Sequence, residues 1–151
     1  MDGPAYTKSN EGCRLAAYLD TRGNWTCGFG ATGADVVEGT AWTQDRADAR
    51  FAEDYACAAF ASARDVGNAT WAGLDDVRRA ALVDEAFQIG GRGLLKFVRM
   101  LAAVREENWT QASAELLDSL EDRQTPGRTA RNAGMLLTGA WPADIKEGEA
   151  A

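Results

Sequence analysis

Residues 11–30 read Glu11-Gly12-Cys13-Arg14-Leu15-Ala16-Ala17-Tyr18-Leu19-Asp20-Thr21-Arg22-Gly23-Asn24-Trp25-Thr26-Cys27-Gly28-Phe29-Gly30. Leu15-Ala16-Ala17-Tyr18 and Trp25-Thr26-Cys27-Gly28-Phe29 are short stretches of strand character. Between them Asp20-Thr21-Arg22-Gly23-Asn24 has the polar, glycine-containing make-up of a turn, so the segment is expected to fold as a small antiparallel hairpin. Gly33 and Gly39 extend irregular structure to about Ala41.

At Thr43 the texture changes. Thr43 is a candidate N-cap, Asp45 falls in the first turn, and Ala47, Phe51, Tyr55 and Ala59 recur at four-residue spacing, which predicts a helix to about Ala63. Gly67-Asn68 breaks it. The chain from there to Trp141 reads as further helices punctuated by Gly90-Gly91, Asn108, Pro126-Gly127 and Gly139. Within it, Leu74 to Gln88 sets Leu74, Val77, Ala81 and Leu82 on one face, as a central helix would. The expected architecture is α+β and mainly α, a single domain over 1–151. Residues of about 12–42 form a small β-hairpin lobe and 43–64 a long connecting helix. Residues 65–142 form a larger helical lobe on which the N-terminal segment packs, and a cleft follows between the lobes. The tail from Ile145 to Ala151 is small and charged and is expected to be loose.

Composition narrows the chemistry. A chain of 151 residues, 46% of them hydrophobic, can bury a substantial core. No stretch nears the roughly 18 consecutive apolar residues of a membrane span, and Met1-Asp2-Gly3-Pro4 lacks the basic and apolar regions of a secretory signal. The formal charge of −7 disfavours nucleic acid and anionic membranes as partners. With no histidine, neither a Ser-His-Asp triad nor a histidine-completed zinc site is available, and Cys13, Cys27 and Cys57 follow no metal-ligand spacing. The three are expected to be small buried thiols. Neither a metal nor an organic cofactor is expected.

Glycosidic hydrolysis needs one protonated carboxyl as acid and one ionised carboxylate to activate water or stabilise the cationic transition state. Glu11 and Asp20 flank the first expected strand, so the chain can return both to one cleft with Thr26 nearby. Two carboxylates and a threonine at such spacing also occur on ordinary surfaces, and Thr26 taken alone is equally a β-branched strand residue.

The run Glu11-Gly12-Cys13-Arg14-Leu15, Tyr18-Leu19-Asp20-Thr21, Gly23 and Thr26-Cys27-Gly28-Phe29-Gly30 resembles the signature of the phage-type lysozymes. Leu74-Asp75-Asp76-Val77-Arg78-Arg79-Ala80-Ala81-Leu82 through Phe87-Gln88-Ile89-Gly90 resembles the central helix of the T-even members. Gln124-Thr125-Pro126-Gly127-Arg128 and Thr138-Gly139-Ala140-Trp141 resemble their C-terminal region. The resemblance implies a lysozyme-like fold and inverting hydrolysis of the bond between N-acetylmuramic acid and N-acetylglucosamine in bacterial peptidoglycan. It gives Glu11 the part of general acid, Asp20 that of the carboxylate that helps activate water, and Thr26 that of the hydroxyl that positions the water. Arg128 resembles the arginine that pairs with the catalytic glutamate, with Asp84 supporting it. Gly30, Gln88 and Gly90 resemble supporting or cleft-wall positions near the sugar. The implied setting is an endolysin: a monomer made in the host cytoplasm without a signal peptide, reaching the wall through a separate membrane-permeabilising protein.

Several positions depart from that pattern. Ala31 stands where the family often carries a histidine, so Asp54, which resembles its partner, is expected to lose that salt bridge and some lobe rigidity with it. Glu85 lies on the face that should meet the core, where a carboxylate must either hold its proton or find a pair. Pro4-Ala5-Tyr6-Thr7-Lys8 is a weakly apolar first helix. Asn24-Trp25-Thr26, Asn68-Ala69-Thr70 and Asn108-Trp109-Thr110 match the glycosylation pattern and are read as coincidence. Two alternatives stay open at this level: a lysozyme-like fold that binds glycan without cutting it, and a lytic transglycosylase.

Overall fold

Local capping chemistry accounts for most element boundaries in the computed structural model, which describes residues 1–90, 93–119 and 124–145. Helix α1 (Gly3–Glu11) starts where the Asp2 side chain accepts from Ala5 N, with Pro4 in its first turn. Strands β1 (Arg14–Leu19) and β2 (Trp25–Gly28) follow, then α2 (Gln44–Val66), α3 (Asn68–Gly73) and α4 (Asp76–Ile89). A 3-10 turn (Gly93–Lys96), α5 (Val98–Arg105), α6 (Trp109–Leu117) and α7 (Pro126–Thr138) complete the described chain. Among the described residues the protein is therefore α+β and mainly α, with one small sheet and, joined to it by a long helix, a larger helical lobe. None of these helices is long and apolar enough to cross a membrane. The expectation for the tail beyond Ile145 falls outside the described residues.

The hairpin is antiparallel, pairing Arg14 with Gly28, Tyr18 with Thr26 and Leu19 with Trp25, and its register shifts between Arg14 and Tyr18. Along that stretch β1 bonds instead on its other edge: Ala17 N donates to Thr40 O and Trp42 N to Leu15 O, each at 2.8 Å. The returning chain thus covers an edge that would otherwise lie open. Helix α2 begins at Thr43, whose hydroxyl accepts from Arg46 N at 3.2 Å, and ends at Gly67 in a positive-φ conformation. It runs three residues past the expected Ala63.

Two cores result. The larger surrounds α4, whose residues Ala80 to Ala86 are all buried because α1, α2 and α7 pack on it from different sides. Small side chains at Ala80, Ala81 and Ala86 let those neighbours approach. The smaller core joins hairpin to helix: Phe29 meets Phe51 of α2 edge-on at 5.3 Å between ring centroids, and Phe51 meets Phe87 of α4 at 5.3 Å. Arginines seal three helix C-termini by donating to their last carbonyls. Arg78 bonds Leu136 O on α7, Arg79 bonds Trp71 O on α3, and Arg105 bonds Asp65 O and Val66 O on α2.

Two sequence expectations need correction. All three cysteines are free thiols, but only Cys27 is buried; Cys13 is half-buried and Cys57 is exposed. Cys57 lies six residues after Phe51, a rotation of about 600° along the helix, which carries it off the buried face. Asp54 has no histidine at position 31 to pair with, as expected, but its carboxylate finds another cation, so the expected loss of that tie is made good. Arg50, one turn earlier, donates from Nε to both Asp54 oxygens at 3.0 and 3.1 Å. The same guanidinium reaches Asp35 Oδ2 at 2.6 Å and Thr32 O at 2.8 Å, so it clamps the loop after the hairpin to α2.

Because this clamp uses three edges of one planar group, Arg50→Ala is expected to destabilise the fold by about 1–2 kcal/mol in urea unfolding. Arg46→Ala, which removes a longer and more exposed pair to Asp35 (3.3 Å), should cost no more than about 0.5 kcal/mol. Equal losses in the two variants would count against the clamp.

Candidate active site

Glu11 is the last residue of α1, and Gly12, at φ 67°, turns the chain away from the helix there. The helix is fixed by Tyr6, which is fully buried and donates from its hydroxyl to Asn132 Oδ1 of α7 at 2.6 Å. Burial, reinforced by nearby Asp84, pushes the Tyr6 phenol up to about 12, so it stays neutral. Lys8 ties the same helix to the smaller core, pairing with Asp48 and lying over the Phe29 and Phe51 rings at 4.9 and 5.1 Å. One anchored residue and one bridging lysine thus compensate for a helix with little apolar surface.

Arg128, in the first turn of α7, gathers two carboxylates. Its Nη1 donates to Glu11 Oε1 at 2.7 Å, while Nε and Nη2 donate to Asp84 Oδ2 and Oδ1 at 2.8 and 2.9 Å. The side chains are 10% exposed for Arg128, 18% for Glu11 and 0% for Asp84. Asn132 Nδ2 donates to Asp84 Oδ2 and to Glu85 Oε1, both at 2.8 Å, so the buried Glu85 belongs to the same network. Burial raises the Glu11 pKa; Arg128 opposes the shift and Asp84 adds to it. For Arg128 burial works against the charge, but Asp84 and Glu11 outweigh it and hold the guanidinium firmly protonated.

Asp20 sits in a different setting, at the exposed end of the hairpin. Its Oδ1 accepts from Asn24 N at 2.8 Å and Arg22 N at 2.9 Å, and these donors, Asn24 first, hold its carboxyl below the ordinary range. Thr26 is buried on β2, and its hydroxyl donates to Asn24 O at 3.1 Å. Asn24 therefore links Asp20 and Thr26, whereas neither is hydrogen-bonded to the Glu11 cluster among the described residues.

Gly30 borders the Glu11 cluster. A Cβ there would stand 3.3 Å from Glu11 Oε2, and its φ of 83° is one that residues with side chains rarely adopt. It also lines a cleft together with Arg50, Asp54 and Cys57 of α2 and with Ala86, Phe87 and Gly90 at the end of α4. A hollow on the hairpin side is lined by Glu11, Arg14, Tyr18 and Gly28. Gln88 turns to the start of α7, donating to Thr125 Oγ1 at 2.7 Å. Among the described residues no three His, Cys, Asp or Glu side chains converge as metal ligands would.

Sequence reading missed Asn10, Arg131 and Asn132. Arg131 Nη2 donates to Asn10 Oδ1 at 2.7 Å, and Asn10 Nδ2 lies 3.4 Å from both Asp84 oxygens. A signal existed in the spacing: Arg128, Arg131 and Asn132 fall at i, i+3 and i+4, which aligns them on one helix face.

A family profile described as phage lysozyme matches residues 8–133. Two Dictyostelium discoideum proteins named probable T4-type lysozyme 1 and 2 are each 26% identical over 155 residues, covering 87% of this chain and 91% of their own length. The pre-baseplate central spike protein Gp5 of Enterobacteria phage T4 is 30% identical over 158 residues, covering 87% of this chain and 27% of that protein.

The raised Glu11 pKa has a consequence for stability. The folded state holds this proton more tightly than the unfolded chain. The resulting stabilisation is complete below the unfolded value of about 4.3 and is lost as pH rises through the folded value. Glu11→Gln cannot ionise, so it should melt above the wild type at neutral pH, and the gap should close on acidification below about pH 4. A gap that persists unchanged in acid, or a variant that melts lower at neutral pH, would contradict the raised pKa.

Proposed function

The chain belongs to the phage lysozyme family and is a glycoside hydrolase of the lysozyme type, and from that premise we propose that it hydrolyses the β-1,4 bond between N-acetylmuramic acid and N-acetylglucosamine in peptidoglycan, with inversion. The observation that carries this reading is the opposite treatment of two carboxyls. Glu11 is pushed toward its protonated form by burial, and Asp20 toward its ionised form by the amides of its own turn. Environments that separate two carboxyl pKa values in this way suit one to acid and the other to base duty.

In the proposed reaction Glu11 passes its proton to the glycosidic oxygen as the bond to the muramic acid C1 breaks. The proton leaves from Oε2, since Oε1 receives Arg128. Water held between Asp20 and the Thr26 hydroxyl attacks C1 from the opposite face, and Asp20 accepts its proton. The product carries a new C1–OH of inverted configuration. Gly30 leaves room beside the acid, and Gly90, in the wall of the same cleft, leaves room for the glycan. Gln88 is proposed to support that wall through Thr125. Family membership supports an endolysin-type role, in which a monomer acts on the wall to lyse a bacterial host after its membrane has been permeabilised.

Purified Gram-negative peptidoglycan tests the reading, with soluble muropeptides identified by mass spectrometry. Wild type should release reducing muramic acid ends, and Glu11→Gln should release them at least about 10²-fold more slowly. Near-normal release by the variant would overturn Glu11 as the acid. Anhydro-muramic ends would identify a lytic transglycosylase, and sedimentation with glycan without new ends would identify a binding protein.

A further inference from the structure

A general acid held by an arginine faces conflicting demands. The guanidinium fixes the carboxyl in place, yet a positive charge at hydrogen-bond distance favours the ionised form and so strips the acid of the proton it must deliver. The site described above places a second carboxylate against the same arginine, in a position to remove that conflict.

Asp84 occupies two of the three edges that Arg128 presents to carboxylates, at 2.8 and 2.9 Å, and leaves Nη1 for Glu11 at 2.7 Å. The bidentate contact sets the plane of the guanidinium, so Nη1 points at Glu11 in one direction. The donors are also unequally shared. Asp84 receives Arg128 twice and Asn132 at 2.8 Å, whereas Glu11 receives a single side-chain donor among the described residues. Asp84 is therefore the principal partner of Arg128, and Glu11 the secondary one. We propose that Asp84 is a positioning residue for the acid: by orienting Arg128 and cancelling its charge, it lets the arginine hold Glu11 in place without ionising it. This inference rests on the reading of Glu11 as the general acid.

Apart from the neighbouring carboxyl of Glu85, the groups around Glu11 and Asp84 are tyrosines, asparagines and arginines, which makes the idea testable by pH. Glu11 faces Arg128 of α7 and Asp84 of α4. Asp84 faces Tyr6 and Asn10 of α1, Tyr55 of α2, its neighbour Glu85, and Arg128 and Asn132 of α7, with Arg131 behind Asn10. Burial pushes both tyrosines up to about 12, so neither titrates where a lysozyme works, and the arginines keep their charge. Removing the negative charge at Asp84 leaves the full field of Arg128 on Glu11.

The test records kcat/KM against pH on soluble peptidoglycan oligosaccharides for wild type, Asp84→Asn and Asp84→Glu. It is combined with a carbon-13 NMR titration of the Glu11 carboxyl in each protein. In Asp84→Asn the alkaline limb and the Glu11 titration should move together to lower pH by about one unit or more, and Asp84→Glu should move both back toward wild type. Activity lost evenly at every pH, with limb and titration unmoved, would mean that Asp84 only holds structure and would overturn the proposal. If Asp84→Asn does not fold, the wild type alone decides: a Glu11 titrating at or below the ordinary value of about 4.3 overturns it, and one titrating above supports it. Glu11→Gln separates the two readings. Full activity there ends the general-acid assignment, whereas loss there with an unmoved limb in Asp84→Asn ends this inference alone.

Discussion

The buried guanidinium of Arg128 is the group on which the rest of the site depends. It stands where α1, α4 and α7 meet and joins all three, through Glu11 on the first and Asp84 on the second. Burying a charge of this kind is costly unless every edge finds a partner, and a pair broken on one side leaves the other charge stranded. Arg128 meets that demand with two carboxylates, and Asp84 is completed in turn by Asn132, which is held by Tyr6. The chain of contacts runs from the N-terminal helix through the core helix to the C-terminal one. Docking of the three helices and orientation of Glu11 are thereby one event, so an error in packing α1 would displace the Glu11 carboxyl.

What could be read from the sequence follows from the range of the interactions involved. Thr43, Gly67, Gly90, Pro126 and Gly139 mark element ends because capping acts over three or four residues, and the structure puts element boundaries at each of them. The α+β fold was likewise legible, since a turn-rich hairpin gives way to helical periodicity within a few residues of Thr43. Glu11, Asp20, Thr26 and Arg128 were reachable through a motif resemblance, and Glu11 and Arg128 lie 2.7 Å apart across 117 positions. The bond from Asn132 to Asp84 spans 48 positions and that from Tyr6 to Asn132 spans 126, and no local rule encodes either. Their polarity on faces that ought to be apolar was the available clue.

The two misreadings have physical causes of the same sort. Cysteine is usually buried because it is small and weakly polar, but on α2 the helical phase outranks that preference and turns Cys57 outward. Asp54 was expected to lose its histidine salt bridge, and some lobe rigidity with it, because Ala31 fills the histidine position. A single missing residue does not empty a charged position, however, when an arginine one turn away has the reach to fill it. Arg50 takes over and adds two contacts to the loop that an imidazole could not make together.

The two carboxyls proposed for catalysis belong to different parts of the molecule, and their physical surroundings differ accordingly. Glu11 is carried on a helix bound to the large core, with its pKa raised by burial. Asp20 is carried on a two-stranded hairpin and is ionised by backbone amides of its own turn, so its charge does not depend on the large core at all. The surroundings that shift each pKa are thus supplied mostly within its own part of the molecule. The separation of the two carboxyls is not supplied in the same way, because it is set by whatever joins the two parts. That joint is narrow: the Phe29–Phe51–Phe87 contacts, Lys8 lying over two of those rings from α1, and Arg50 holding the loop after the hairpin. The protonation chemistry of this site is thus local and the distance between its carboxyls is not, so substitutions at the joint should act on turnover through geometry and leave the two pKa values where they are.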